Sequence, residues 1–275
     1  MATILHPTDF SETSRSAFEN ALGLAFVGRH KLVLLHVSAK KMDRNDWSEF
    51  PHIRSTLASW GFITEDMKAS ELRDKTGLHV VKIAATGRDP VGAVVEYLKR
   101  NTADLIVVST AGRDGMEGWL NKSISMQMAD ELVQPVLFVR KSVDGLVGKN
   151  KEHSHVRVLV PVDNDPDPQL AVDAALSLKR FWKMPVGRVM MLHVGTSPLR
   201  QQVALPQDEE VEFSNQLVDG EVEEEILKAC HEHEMDLIVM TRAGPDRLAE
   251  RFMGSTTEQI VRSSPCAVLL VRTHR

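Results

Sequence analysis

The chain lacks the cysteines for a disulfide framework. Its 275 residues contain two, Cys230 and Cys266, a usage that suits a reducing compartment. It lacks an excess of positive charge as well: 33 basic residues face 38 acidic ones, for a net charge of −5. The clustered Lys and Arg that a phosphate backbone demands are therefore missing, and no nucleic-acid partner is expected. Long apolar runs are absent, stretches such as 105–108 being only a few residues long, so no membrane contact by a spanning helix is expected. The opening MATILHPTDF has no basic flank before its apolar residues and is expected to be mature sequence, not a signal peptide. Together these features lead to the expectation of a soluble, cytoplasmic protein. What is present is ordinary for a globular chain: 43% apolar and 26% charged residues exclude a disordered or collagen-like polymer. At about 150 residues per domain the length allows two domains or one large one.

The informative feature is internal duplication. ILHPTDF (4–10) matches VLVPVDN (158–164), LVLLHV (32–37) matches VMMLHV (189–194), ADLIVVSTAG (103–112) resembles MDLIVMTRAG (235–244), and PVLFVR (135–140) matches AVLLVR (267–272). Four matches in one order exceed chance. The spacing from Asp104 to Val136 equals that from Asp236 to Val268, at 32 residues. His36 to Asp104 is 68 residues, whereas His193 to Asp236 is 43, so the second half lacks 25 residues at one place. The first half fills that place with a helix-like stretch, 49–76. The second has Pro198, Pro206 and the acidic run 208–210 there, which reads as a loop. Residues 1–141 and 156–275 are the two expected domains, and 142–155, which has no periodicity, is the expected linker.

Each half alternates strand and helix. After a strand at 3–6, Ser11 is placed to cap a helix. Ala17, Phe18, Ala21, Leu22 and Ala25 then form an apolar stripe ended by Gly28. Strands are expected at 31–37, 79–85, 104–109 and 135–140, with a helix face of Val91, Val94, Val95 and Leu98 begun by Pro90. Continuous apolar strands such as LIVV imply burial on both faces, hence parallel sheets covered by helices.

Doubly wound sheets bind ligands beyond the carboxyl ends of their strands. Asp9 and Asp163 each follow a first strand, Val37 and Val194 end the second, and Gly87 and Gly220 follow the third. Thr241, Gly244 and the pair Gly254-Ser255 follow the fourth strand of the second half, ahead of a helix over 256–262. Glycines permit close backbone approach, and a helix N-terminus offers unpaired N–H groups to an anion. Ser255 and Thr256 add hydroxyl donors. The structural alternative is an ordinary loop with a capped helix. Lys122-Ser123 lacks the glycines of a Walker motif, which would fall at Met116 and Asn121. Cys230, His231 and His233 do not converge on one helix face, so no metal is expected and Cys230 is assigned to the core. His36 and His193 are read as satisfied core histidines. No nucleophile with a base and carboxylate partner is evident, so no catalytic residues are assigned.

The segments PTDFSET, LLHV, DLIVM, the pattern G-x9-G-S and the closing VLLV resemble the universal stress protein (UspA) family, in two tandem copies covering nearly the whole chain. The resemblance implies an α/β fold of two Rossmann-like (adenine nucleotide α-hydrolase-like) domains, each a five-stranded parallel sheet flanked by helices. It also implies a pseudo-two-fold, intramolecular pairing through the final strands, 136–139 and 268–271. A closed symmetric homodimer is the generic expectation should two chains associate. One branch of the family binds ATP through G-x2-G-x9-G-[S/T]. By resemblance, the aspartate after the first strand and the valine after the second hold adenosine, while the glycines and Ser/Thr hold phosphates. The second copy reads Thr241-x2-Gly244-x9-Gly254-Ser255 and the first reads Ser109-x2-Gly112-x9-Lys122-Ser123. Lys122 would crowd a phosphate where glycine lets one approach. The second copy is therefore the expected site for ATP or another adenine nucleotide, with Mg²⁺ as a companion, through Asp163, Val194, Gly220, Thr241, Gly244, Gly254, Ser255 and Thr256. The corresponding set in the first copy is Asp9, Val37, Gly87, Gly112 and Ser123. The implied role is regulatory, in the stress response, with any hydrolysis slow. The other reading is an interaction protein with both sites degenerate.

Overall fold

The computed structural model of the chain describes residues 1–40, 47–110, 124–140, 146, 155–165, 167–205, 208, 210–242 and 255–272. These fall into two compact units, one from Met1 to Leu146 and one from His155 onward. The expected linker lies outside the described residues except for Leu146 and His155. Leu146 belongs to the first unit: its side chain is buried and its N–H donates to Asn20 Oδ1 at 2.8 Å.

The N-terminal unit runs β1 (Thr3–Thr8), α1 (Glu12–Val27), β2 (Lys31–Ser38), α2 (Ile53–Ser59), α3 (Ala69–Thr76), β3 (His79–Thr86), α4 (Pro90–Arg100), β4 (Leu105–Thr110), α5 (Ile124–Glu131) and β5 (Val136–Arg140). Its five strands are all parallel, in the order β3-β2-β1-β4-β5. The C-terminal unit runs β6 (Val156–Pro161), α6 (Pro168–Arg180), β7 (Val186–Val194), β8 (Glu212–Val218), α7 (Val222–Glu232), β9 (Leu237–Arg242), α8 (Ser255–Ser263) and β10 (Ala267–Arg272). It repeats the order as β8-β7-β6-β9-β10. The α/β reading, with two Rossmann-like copies, is borne out. In each unit the chain winds outward from the first strand in both directions, which opens a crevice between the first and fourth strands at their carboxyl ends.

Local chemistry explains the elements. Ser11 caps α1 by accepting from Ser14 N–H, and Gly28 closes the helix. Asp89 and Asp167 cap α4 and α6, each followed by proline in the first turn. Ile4, Leu5, Leu32 to Leu35, Ile106 and Val107 in one unit, and Val158 to Val160 and Leu237 to Val239 in the other, are almost fully buried. The edge strands differ: β3 and β8 are half-buried or exposed along their length, because a helix layer covers at most one side of them. The stretch 49–76 is two short helices and not one. After α2 the chain turns through Gly61 at φ +80°, a left-handed conformation in which glycine carries no Cβ penalty.

Two of the repeated motifs prove to be fastenings. Asp104 accepts from Thr3 N–H at 2.8 Å, and its own N–H donates to the Thr3 carbonyl at 2.8 Å. Asp236 does the same with Arg157, at 2.9 Å in each direction. At the opposite end, the Nδ1–H groups of His36 and His193 donate to the carbonyls of Thr8 and Val162, at 2.8 and 3.0 Å. One carboxylate clasp and one imidazole clasp thus bind the first strand to its neighbours in both copies.

Candidate functional site

In the C-terminal unit the register sets Pro161 opposite Leu192 and Leu159 opposite Ile238. Continued along the strands, it carries Asp163 level with Val194 on one side and with Arg242, the residue after Thr241 at the end of β9, on the other. Asp163 is 70% exposed. Its Oδ1 accepts from Asn164 N–H at 2.7 Å, and Oδ2 faces no protein donor among the described residues. Thr241 is half-buried, and α8 begins at Ser255, followed by the half-buried Thr256. Asp163, Val194 and Thr241 thus lie at the carboxyl ends of β6, β7 and β9. Gly220 sits farther out: β8 is two strands from β6, roughly 10 Å at the usual strand spacing. It turns the chain into α7 at φ +151°. Gly244 and Gly254, and in the first copy Gly112 and Ser123, lie outside the described residues.

The loop after β7 folds over this end of the sheet and is stitched down. Asn164 Oδ1 accepts from Arg200 N–H at 2.7 Å. Gln169 and Ala204 exchange two hydrogen bonds, Ala204 N–H to Oε1 at 2.8 Å and Nε2–H to the Ala204 carbonyl at 3.2 Å. Lys179 reaches Asp208 at 2.7 Å and Glu210 at 2.9 Å. His193 is buried, and both ring nitrogens face carbonyl oxygens, Val162 at 3.0 Å and Ser197 at 3.1 Å. It is a buried core histidine, as the sequence led us to expect, held through Nδ1–H.

The N-terminal crevice is built from different material. Asp9 is committed locally, its Oδ1 accepting from Ser11 N–H at 3.0 Å and Ser11 Oγ–H at 2.6 Å. Phe10 adopts φ +65°, and its ring stacks on His36 with centroids 3.9 Å apart and planes 15° from parallel. Phe50, wholly buried, meets the edge of Phe10 at 4.9 Å, and Trp47 meets Phe50 at 5.2 Å. His36 is thus half-buried beneath an aromatic ring, not set in the aliphatic core. Gly87 follows β3, its N–H donating to the Ser38 carbonyl at 2.9 Å, with Val37 packed beside it. Beneath this cluster, His6 is fully buried. Its Nδ1–H donates to the Val107 carbonyl at 2.8 Å, and its Nε2 lies 3.3 Å from Ser14 Oγ. Burial lowers its pKa to about 4. The aromatic plug was missed in the sequence, although the aligned PTDF and PVDN already differ at Phe10 and Asn164.

A model of the Universal stress protein family matches residues 1–140 and 195–272. The chain belongs to that family. Among curated universal stress proteins, one of Methanocaldococcus jannaschii is 26% identical over 147 residues, which is 50% of this chain and 81% of that protein. One of Methanothermobacter thermautotrophicus is 34% identical over 68 residues, 25% of this chain. The chain spans 46% of that relative's length. The fold matches a crystal structure of a universal stress protein from Archaeoglobus fulgidus at a TM-score of 0.62 and 20% identity, with 98% of each chain covered. At that identity the match speaks for the fold alone. No helix among the described residues is long and apolar enough to cross a membrane. Cys230 is buried, as expected, and so is Cys266, with the two sulfurs 3.2 Å apart.

Proposed function

We propose that the C-terminal unit binds ATP or another adenine nucleotide, and that the chain serves the stress response as a nucleotide-responsive regulator. The observation that carries this reading is the contrast between the two crevices. In the N-terminal unit the ground beside Asp9 and Val37 is filled by Phe10 stacked on His36 and backed by Phe50. In the C-terminal unit the equivalent of Phe10 is Asn164, which holds the loop over the crevice instead of filling it. Asp163 there keeps an exposed carboxylate, a fit for the hydroxyl donors of a ribose. Gly244, Gly254 and the start of α8 complete the family pattern, where backbone N–H groups suit phosphate. Val194, Thr241, Ser255 and Thr256 complete the proposed lining, with Gly220 at its outer edge. The aromatic plug favours the second reading, an interaction surface without nucleotide, for the N-terminal unit alone.

The chemistry at the C-terminal crevice supports binding over hydrolysis. His193 has each ring nitrogen turned to a carbonyl, so it presents no lone pair to an attacking water. A bound nucleotide would stabilise the unit by mass action, by about 2.7 kcal/mol at a ligand concentration one hundred times Kd. The test is thermal unfolding of the full chain with ATP and Mg²⁺, repeated on Asp163→Ala and Gly254→Lys. ATP should raise the C-terminal transition of the parent protein, Asp163→Ala should weaken the effect, and Gly254→Lys should abolish it. An unchanged transition in the parent protein would dismiss the proposal.

A further inference from the structure

The residues that the N-terminal half has and the C-terminal half lacks build a cavity of about 810 Å³ between α2, α3 and the edge strand β3. That volume is in the range of small-molecule sites. The cavity is separate from the carboxyl-end crevice. His79 and Lys82 of its wall pair with Lys31 and Leu34, in the amino-terminal part of β3, whereas the carboxyl ends of these strands are at Ser38 and Thr86.

Its lining carries Arg54, Arg73, Lys82, His52 and His79 against one carboxylate, Glu65. The apolar part is supplied by Ile53, Leu72 and Leu78, all buried. The positive charge exceeds the single negative one. Among the described residues neither Arg73 nor Lys82 has a carboxylate within ion-pair distance, and the nearby Glu71 pairs with Lys75 at 3.0 Å. Arg54 donates to the Met67 carbonyl at 3.0 Å, which orients the guanidinium without neutralising it. Lys82 lies 5.5 Å from the centre of the Phe50 ring, partly withdrawn from water. The field of this cluster is legible at His79: burial lowers its pKa, and Arg73 and Lys31 lower it further. A cavity with an apolar wall, three cations and one carboxylate gains most from a ligand that brings a compact dianion on an apolar body. Forked guanidinium donors also match phosphate oxygens.

We infer that this cavity is a second ligand site, selective for a small phosphorylated organic molecule. It is independent of the nucleotide reading, because it shares no residue with the C-terminal crevice. The test uses the full chain at low ionic strength and phenyl phosphate as probe, with phenol and benzoate as controls. The readout is the NMR ring-proton signals of His52 and His79, assigned through His52→Gln and His79→Gln. Phenyl phosphate should shift both signals saturably, phenol should not, benzoate should bind more weakly, and added KCl should weaken the phosphate ester. Arg73→Gln combined with Lys82→Gln should raise the apparent Kd at least about tenfold, a loss expected when charge-assisted bonds are removed. Should that variant misfold, the KCl dependence of the parent protein stands in its place. No saturable shift up to about 10 mM probe, well beyond a millimolar site, would overturn the inference. So would equal binding of phenol or benzoate, affinity indifferent to KCl, or undiminished affinity in a folded double variant.

Discussion

His6 offers a test of the fold in which a single imidazole sets the acid sensitivity of the N-terminal unit. The ring is fully buried. Its Nδ1–H is used by the Val107 carbonyl, so in the neutral ring Nε2 is the unprotonated nitrogen, 3.3 Å from the Ser14 hydroxyl oxygen. A second proton would place a charge among β1, β4 and α1 without water, and burial therefore lowers the pKa from 6.5 to about 4. The unfolded chain takes that proton as the pH falls through 6.5, while the folded chain refuses it until about 4. Stability is accordingly full above 6.5, declines between 6.5 and 4, and changes no further from this group below that. Linkage puts the loss at about 2 kcal/mol on going from pH 7 to pH 5, and about 3 kcal/mol once below the folded-state value. In the C-terminal copy the aligned residue is Val160, which titrates nothing. His6→Val paired with Ser14→Ala should therefore flatten the pH dependence by about this amount, whatever it does to stability at neutral pH. Urea unfolding from pH 7.5 to 4.5, followed by Trp47 and Trp60, reads the difference. Parent and variant curves running parallel, or a His6 ring signal titrating near pH 6.5, would refute the reasoning.

Other consequences are equally open to measurement. Phe50→Ala should destabilise the N-terminal unit by about 3–5 kcal/mol, the usual cost of emptying a buried aromatic site, in denaturant unfolding; a loss under about 1 kcal/mol would mean that the aromatic plug is not packed as described. Gly220→Ala should cost about 1–3 kcal/mol through its left-handed backbone, since its Cβ would also lie 2.9 Å from Glu225 Cγ; an unchanged melting temperature would contradict that geometry. Asp89→Ala should remove the bond to Gly92 N–H and lower stability by about 1 kcal/mol, with Asp89→Ser restoring most of it. Cys230 and Cys266 are each less than 5% exposed, and the hydrogen bond with Cys266, followed by burial, raises the Cys230 thiol pKa. Iodoacetamide should thus leave both unlabelled in the native chain and label both in urea, as read by intact-protein mass spectrometry.

Much of the fold was legible because it is written twice. The DLIV and LHV segments recur since each copy needs the same two fastenings, an aspartate clasping the start of the first strand and a histidine clasping its end. Read from sequence, those residues pass equally well for ligand-binding groups; only the placed partners show their main task to be structural. The stretch 49–76 was legible as a helix-like insertion, whereas its division into α2 and α3 was not, because its polar residues carry no clear period. Of the candidate site, what the sequence made legible is placement on the sheet. Asp163, Val194 and Thr241 do gather at one end of the sheet, whereas Gly220 stands two strands away, a separation that strand order decides and spacing along the chain does not reveal.

The sequence alone determined the doubling, the alternation of strand and helix, the buried central strands and the capped helix starts, for these depend on neighbours within a few residues or on repeats that can be aligned. Tertiary structure alone decided that Phe10, His36 and Phe50 close one crevice while Asn164 leaves its counterpart differently furnished, and that the inserted helices leave a basic cavity beside β3. Such features arise where residues tens of positions apart compete for one volume and one electrostatic field, and that competition exists only once the chain has folded.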